Sequence, residues 1–112
     1  MEKILRINMG AEGGPQATAV PVGEYAGLGG RALTSTLVGK EVPPTCHALS
    51  DENKLVIAPG LLSGTAATSS GRLSVGCKSP LTGTIKEANS GGMASINLAR
   101  LEIGRASCRE RV

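Results

Sequence analysis

The sequence predicts an α+β fold, mostly β, with two short helices. Three observations carry this. Short apolar runs with polar neighbours recur along the chain, the pattern of buried and half-buried strands. Gly and Pro interrupt those runs at close intervals, as at Pro43-Pro44 and Pro59-Gly60. Apolar residues at helical spacing appear in two segments, 24–40 and 91–101.

Lys3 to Met9 opens the chain as a strand, with Leu5, Ile7 and Met9 on one face and Arg6 and Asn8 on the other. Ala11 to Pro15 is a Gly-rich turn, and Gln16 to Val22 pairs back to complete a hairpin. Glu24 to Lys40 reads as a helix in which Ala26, Gly29, Gly30, Leu33 and Leu37 share a face. Gly29 and Gly30 each weaken it by about 1 kcal/mol relative to Ala, which close packing against a sheet would offset. Pro43-Pro44 ends the helix, and Thr45 to Glu52 is a polar loop.

Leu55 to Ala58 is fully apolar and suits a buried strand. Leu61 to Ser70 is small, polar and without period. Arg72 to Lys78 alternates, with Leu73, Val75 and Cys77 inward and Arg72, Ser74, Gly76 and Lys78 outward. Ser79-Pro80 turns the chain, Thr82 to Lys86 forms a short strand, and Gly91 to Leu101 forms a helix aligning Ala94, Leu98 and Leu101.

At 112 residues the chain is one small domain, and it contains 16 glycines, no Phe, no Trp and a single aromatic, Tyr25. Its core must come from Ile, Leu, Val, Met and Ala, and so small a body buries a modest share of its surface. Part of a larger protein is the better expectation. The net charge of +3 is scattered, and one aromatic offers no platform for stacking bases, so nucleic acid is not the expected partner. No apolar run reaches signal-peptide or transmembrane length, which predicts a cytoplasmic protein and no membrane partner. The three cysteines, Cys46, Cys77 and Cys108, are far apart, fitting neither a disulfide framework nor a close-spaced metal site.

Glu102 to Val112, EIGRASCRERV, changes character abruptly, with three Arg and two Glu. It looks like the translation of a sequencing-library adapter, in which AGATCGGAAGAGC read in this frame gives Ile-Gly-Arg-Ala. On that reading residues 1–101 are the first part of a domain, 102–112 are an artefactual tail, Cys108 carries no function, and the natural chain continues past Leu101.

Asn53 to Gly92 is the most informative stretch: short apolar runs among many Gly, Ser and Thr, with Arg72 and Asn89 as polar landmarks. Such a stretch presents main chain, and clustered backbone N–H groups attract anions, so it suits a cradle for a large phosphate-bearing cofactor. In Ala88-Asn89-Ser90-Gly91-Gly92, Asn89 or Ser90 can cap the following helix, and the glycines bare its first N–H groups to an anion. An ordinary capped helix explains the same residues. Arg72 carries a planar fork suited to phosphate or another planar acceptor, or it is a solvated strand residue.

The hydroxyl-rich loop Ser63-Gly64-Thr65 lacks the lysine of a P-loop. Lys78 reads as a solvated or snorkelling lysine, His47 as a surface histidine, and Cys77 as a buried thiol. With no triad and no paired carboxylates, no catalytic residue is assigned.

In order, ILRIN, GLGGRAL (Gly27 to Leu33), EVPP (Glu41 to Pro44), DENKLVIAPGLLSGT (Asp51 to Thr65), SGR (Ser70 to Arg72) and KSPLTGTIKEANSGG (Lys78 to Gly92) make the chain resemble one known family. It is similar to the N-terminal domain of the tungsten-containing aldehyde:ferredoxin oxidoreductases. The resemblance implies a largely β base on which a tungsten (or molybdenum) bis-pterin cofactor lies. It implies that the main-chain carbonyl of Asn89 helps hold a Mg ion bridging the two pterin phosphates. Ser90, Gly91 and Gly92 would complete that cofactor-binding turn. Arg72 would lie between the pterin and a 4Fe-4S cluster, donating hydrogen bonds to both.

The family's cluster-binding cysteines, pterin-gripping motifs and acid–base residues fall downstream of this chain, and Cys46 and Cys77 do not replace them. Residues 11–22 are poorer in acidic groups than the family pattern, and Met93 stands where an aromatic is common. The implied whole enzyme oxidises an aldehyde, or a related oxo compound, to a carboxylate and passes electrons to ferredoxin or another electron-transfer subunit. Its other partners would be the rest of its own chain and, in a homodimer, a second copy. The alternatives are a stand-alone phosphate-ligand binding module without catalysis and a ligand-free scaffold. A natural stop codon after Leu101 would favour those two.

Overall fold

Strand pairing in the computed structural model follows from one hairpin, one three-stranded meander and one strand that joins them. The structure describes residues 3–9, 14–21, 23–50, 52–63, 65–66 and 71–100, with the backbone of 103–109. The elements are β1 (Lys3–Asn8), β2 (Gln16–Pro21), a 3-10 turn (Gly23–Tyr25), α1 (Gly30–Glu41), β3 (Lys54–Pro59), β4 (Arg72–Lys78), β5 (Ile85–Gly91), α2 (Ala94–Arg100) and β6 (Ile103–Arg109). All six strands form a single sheet in the order β2-β1-β6-β3-β4-β5. Its neighbours pair antiparallel except β1 with β6, which are parallel. The expected α+β, mostly β class with two short helices is therefore the architecture observed.

The β1–β2 hairpin forms where the sequence places it, running from Lys3↔Pro21 to Asn8↔Gln16. Its inward phase differs from the expectation. Ile4 enters the core, Leu5 and Ile7 are only half-buried, and Met9 is exposed. Arg6 can take a place near the core because Glu41 at the end of α1 neutralises it.

The helix expected over 24–40 is split. A 3-10 turn at Gly23–Tyr25 comes first, Gly27 takes a positive φ of 80°, and α1 starts only at Gly30. Ala26 and Gly29 therefore lie outside it. Gly29 is in extended conformation at the N-cap, where a Cβ would come within 2.7 Å of the Leu61 amide nitrogen. Leu33 and Leu37 are fully buried, and with Ile4, Tyr25, Val38, Val42, Cys46, Val56 and Ala58 they make the core. The helix ends before Pro43-Pro44, with the Val42 amide donating to Val38.

α1 packs across β3, β4 and β5. It covers the face of β4 that carries Ser74 and Gly76, not the one that carries Leu73, Val75 and Cys77. This corrects the expected orientation of β4, whose ends at Arg72 and Lys78 are as expected. Ser74 and Gly76 are buried, whereas Leu73, Val75 and the Cys77 thiol are half-buried. The reason is helix proximity: a Cβ on Gly76 would stand 2.8 Å from Thr34 Cβ, so only small residues fit beneath α1. The Thr34 and Ser74 hydroxyls bond at 3.0 Å, which satisfies the polar pair buried there.

The segment before α2 also departs from expectation. Ala88 to Gly91 continue β5 rather than forming a turn, because β4 offers a full partner edge from Lys78↔Ile85 to Arg72↔Gly91. The ladder overrides the turn preference of Asn-Ser-Gly. Gly92, at φ 111°, then turns the chain into α2, which starts at Ala94, so neither Asn89 nor Ser90 caps it. The segment read as an adapter-like tail supplies β6, whose backbone pairs with β1 and β3. Among the described residues no helix is long and apolar enough to cross a membrane.

Candidate functional site

The β4–β5 register decides which polar groups meet. Arg72 stands opposite Gly91, Ser74 opposite Asn89, and Gly76 opposite Glu87. Side chains two residues apart share a face, so Arg72, Ser74, Glu87 and Asn89 point the same way. The Arg72 Nε donates to Asn89 Oδ1 at 2.7 Å. The Asn89 Nδ2 in turn faces Glu87 Oε1 at 3.4 Å. That carboxylate oxygen also accepts from Ser74 Oγ at 2.7 Å, and Glu87 Oε2 accepts from Arg31 Nε at 3.2 Å. Together these bonds link the first turn of α1 to the exposed end of the hairpin. The Ser74 hydroxyl foremost, then Asn89 and Arg31, hold the Glu87 carboxyl below the ordinary carboxylate pKa against the opposing effect of burial.

Gly91 supplies the bare surface beside this chain of bonds. A Cβ there would lie 3.0 Å from Arg72 Nη1, so the guanidinium rests directly over main chain. Arg72, Asn89, Gly91 and Gly92 are all exposed. Of the residues singled out in the sequence, the structure thus brings together Arg72, Asn89 and Gly91, with Gly92 at the adjoining turn. Ser90 alternates to the opposite face, where its hydroxyl donates to the Gly91 carbonyl at 3.1 Å. Ser70 of the SGR motif and Gly64 of the hydroxyl-rich loop lie outside the described residues.

The other candidates have structural partners. Lys78 is not solvated, because its ammonium donates to the carbonyls of Pro44 and Cys46 and pins that loop to β4. His47 is exposed, with Nδ1 accepting from the Leu49 amide at 3.2 Å. Among the described residues no three His, Cys, Asp or Glu side chains converge on a metal position. A concavity of about 580 Å³ lined by Val42, Pro44, Thr84 and Ile85 opens at the opposite end of the β4–β5 hairpin from Arg72.

A second polar cluster was missed in the sequence. Glu41 accepts both Nη groups of Arg6, at 2.7 and 2.9 Å, Lys54 Nζ at 2.7 Å and the Tyr25 hydroxyl at 2.8 Å. The Arg6 hydrogen bonds foremost, then those of Lys54 and Tyr25, outweigh burial and hold the Glu41 carboxyl at about 2, down from 4.5. Burial first, and Glu41 second, push the Tyr25 phenol up. Asn53 is a second miss: its Oδ1 accepts from the Lys54 and Lys78 amides and its Nδ2 donates to the Ala48 and Lys78 carbonyls. Glu41 and Asn53 stand inside quoted motifs, which was the available signal.

Arg72 and Asn89, tied together beside bare glycine backbone at a sheet edge, mark an α+β domain whose described surface offers main chain and fixed donors there. Comparison with known proteins gives the class its family. Residues 4–106 match the family described as "Aldehyde ferredoxin oxidoreductase, N-terminal domain", and the chain belongs to that oxidoreductase family.

The tungsten-containing aldehyde ferredoxin oxidoreductase of Pyrococcus furiosus is 57% identical over 65 residues, which is 58% of this chain and 11% of that protein. Its counterpart from Pyrococcus horikoshii is 42% identical over 90 residues, covering 80% of this chain and 15% of that protein. Among solved structures, the active site complex BamBC of benzoyl coenzyme A reductase, in complex with 1,5-dienoyl-CoA, superposes with a TM-score of 0.80 at 28% identity. That superposition covers 96% of this chain and 16% of the other. The chain therefore spans only a small part of the relatives it matches.

Proposed function

We propose that this chain is the cofactor-carrying base of a tungsten- or molybdenum-dependent, iron–sulfur oxidoreductase that converts aldehydes to carboxylates. In the whole protein an aldehyde and water give the carboxylic acid, two protons and two electrons, and the electrons leave to ferredoxin or another electron-transfer subunit. The bis-pterin metal centre, when bound, supplies the two-electron chemistry. The residues here bind and orient it. Arg72 would offer its guanidinium to the pterin and to the 4Fe-4S cluster, Gly91 and Gly92 would let the ligand approach main chain, and the Asn89 carbonyl would serve as a Mg ligand.

The observation that carries this reading is the Arg72–Asn89 bond laid over Gly91. A planar donor is tied to Asn89 beside a glycine, where a Cβ would stand 3.0 Å from its Nη1 and crowd it. Among the described residues β5 is an edge strand, so part of its backbone lies outside that ladder and can meet a ligand. Against the rival reading, a phosphate module built on the Gly91-Gly92 helix start, stands the place of Gly91 in the β5 ladder, with α2 beginning only at Ala94.

The test uses the full-length protein carrying Arg72→Ala, Gly91→Val or Lys86→Ala, with tungsten, molybdenum and iron content measured alongside the paramagnetic resonance spectra of the bound centres. Arg72→Ala and Gly91→Val should lower metal retention or alter the spectra. Lys86→Ala, on the opposite face of β5, should do neither. Three indistinguishable variants would remove this surface from the cofactor site.

A further inference from the structure

We propose that Glu87 is a positioning residue for this site: its carboxylate sets the orientation of the Asn89 amide and, through it, of the Arg72 guanidinium. The inference rests on the reading that Arg72 and Asn89 face the bound cofactor.

An asparagine amide has two orientations of nearly equal shape that exchange its donor and its acceptor. A carboxylate only accepts, so beside Glu87 the favourable orientation turns Nδ2 to Glu87 and leaves Oδ1 for Arg72 Nε. The flipped amide would set an oxygen against the carboxylate and an N–H against the Arg72 N–H. At 3.4 Å the Glu87–Asn89 contact is the longest in the series, so Glu87 supplies direction more than bond strength. Engaging Arg72 through Nε leaves its two Nη groups outside that bond, ready for a planar acceptor.

Glu87 is itself held firmly. Ser74 Oγ, buried and bonded to Thr34, donates to one carboxylate oxygen, and Arg31 donates to the other. Only 14% of the Glu87 side chain is exposed, against 74% for Arg31. The orientation of Arg72 is thereby referred to α1, three bonds away from the surface it serves.

The experiment compares Glu87→Ala, Glu87→Gln, Arg72→Ala and the double variant Arg72→Ala/Glu87→Ala in the full-length protein. The midpoint potentials and resonance line shapes of the bound centres are measured at matched metal content. Glu87→Ala should shift the potential in the same direction as Arg72→Ala, with Glu87→Gln between it and the parent. The double variant should shift no further than Arg72→Ala alone, because Glu87 acts through Arg72.

A Glu87→Ala protein indistinguishable from the parent, while Arg72→Ala is shifted, would overturn the role of Glu87 and leave the cofactor reading standing. An additive double variant would also overturn it. An unshifted Arg72→Ala would remove the cofactor reading and this inference together. Should Glu87→Ala fail to load metal, the isosteric Gln variant and its double with Arg72→Ala decide by the same criteria.

Discussion

Replacing Glu41 by Gln in the full-length protein removes a charge that four hydrogen bonds converge on, while changing shape very little. The carboxyl is held at about 2 instead of 4.5, and about 1.4 kcal/mol per pKa unit makes that about 3 kcal/mol of preference for the charged form. Glu41 is 20% exposed and Arg6 35%, so solvent screening leaves about half, roughly 1.5 kcal/mol or a factor of ten.

Hydrogen–deuterium exchange read on peptides covering 30–42 should therefore quicken about tenfold at pH 7, with the 85–91 peptides unchanged. The pH dependence has a definite sign. A depressed carboxyl pKa gives stability that is complete above about 4.5 and is lost as pH falls toward about 2. Protection of α1 in the parent should thus hold from pH 7 to 5 and decline below, and the Gln variant should lack this decline. Equal exchange in both proteins, or parental protection already falling between pH 7 and 5, would refute the argument.

Two further substitutions test the packing. Gly76→Ala puts a Cβ 2.8 Å from Thr34 Cβ, an atom fixed to the helix backbone, so α1 must lift from β4 at about 1–3 kcal/mol; exchange in both 30–42 and 72–78 should rise, and unchanged exchange would contradict the close contact. Lys78→Met removes the donor that holds the Pro44 and Cys46 carbonyls, so alkylation of the buried Cys46, located by mass spectrometry, should accelerate several-fold relative to Cys77. An unaltered Cys46 rate would show that the loop does not depend on Lys78.

What could be read from the sequence was what depends on near neighbours. Alternation placed both ends of β4, and the two apolar runs flanking residues 11–15 placed the first hairpin. The orientation of β4 was not readable, because it depends on α1. Ser74 looks like a solvent residue until Thr34 brings a hydroxyl to meet it, and Gly76 looks incidental until the helix passes overhead. Asn89-Ser90-Gly91 has the composition of a turn, yet an available partner edge drew it into β5. Arg72 and Asn89 were legible as site candidates because each stands out locally. Glu87 and Arg31 were not, since they meet across 56 positions, and Arg6 and Glu41 meet across 35. Such pairs exist only once the sheet and α1 have come together.

The position of β6 has a consequence for how the molecule assembles. The hairpin of β1 and β2 and the meander of β3, β4 and β5 share no ladder of their own, and residues 103–109 are the seam that joins them. Each raft pairs internally through contacts close in sequence, whereas Lys3 of β1 meets Ile103 of β6 across nearly the whole described chain. Sheet closure would then be the slow, late event, governed by sequence-distant contacts rather than by either hairpin. A lesion in residues 103–109 would leave the two rafts without a common ladder, joined through the core under α1 and the Glu41 cluster.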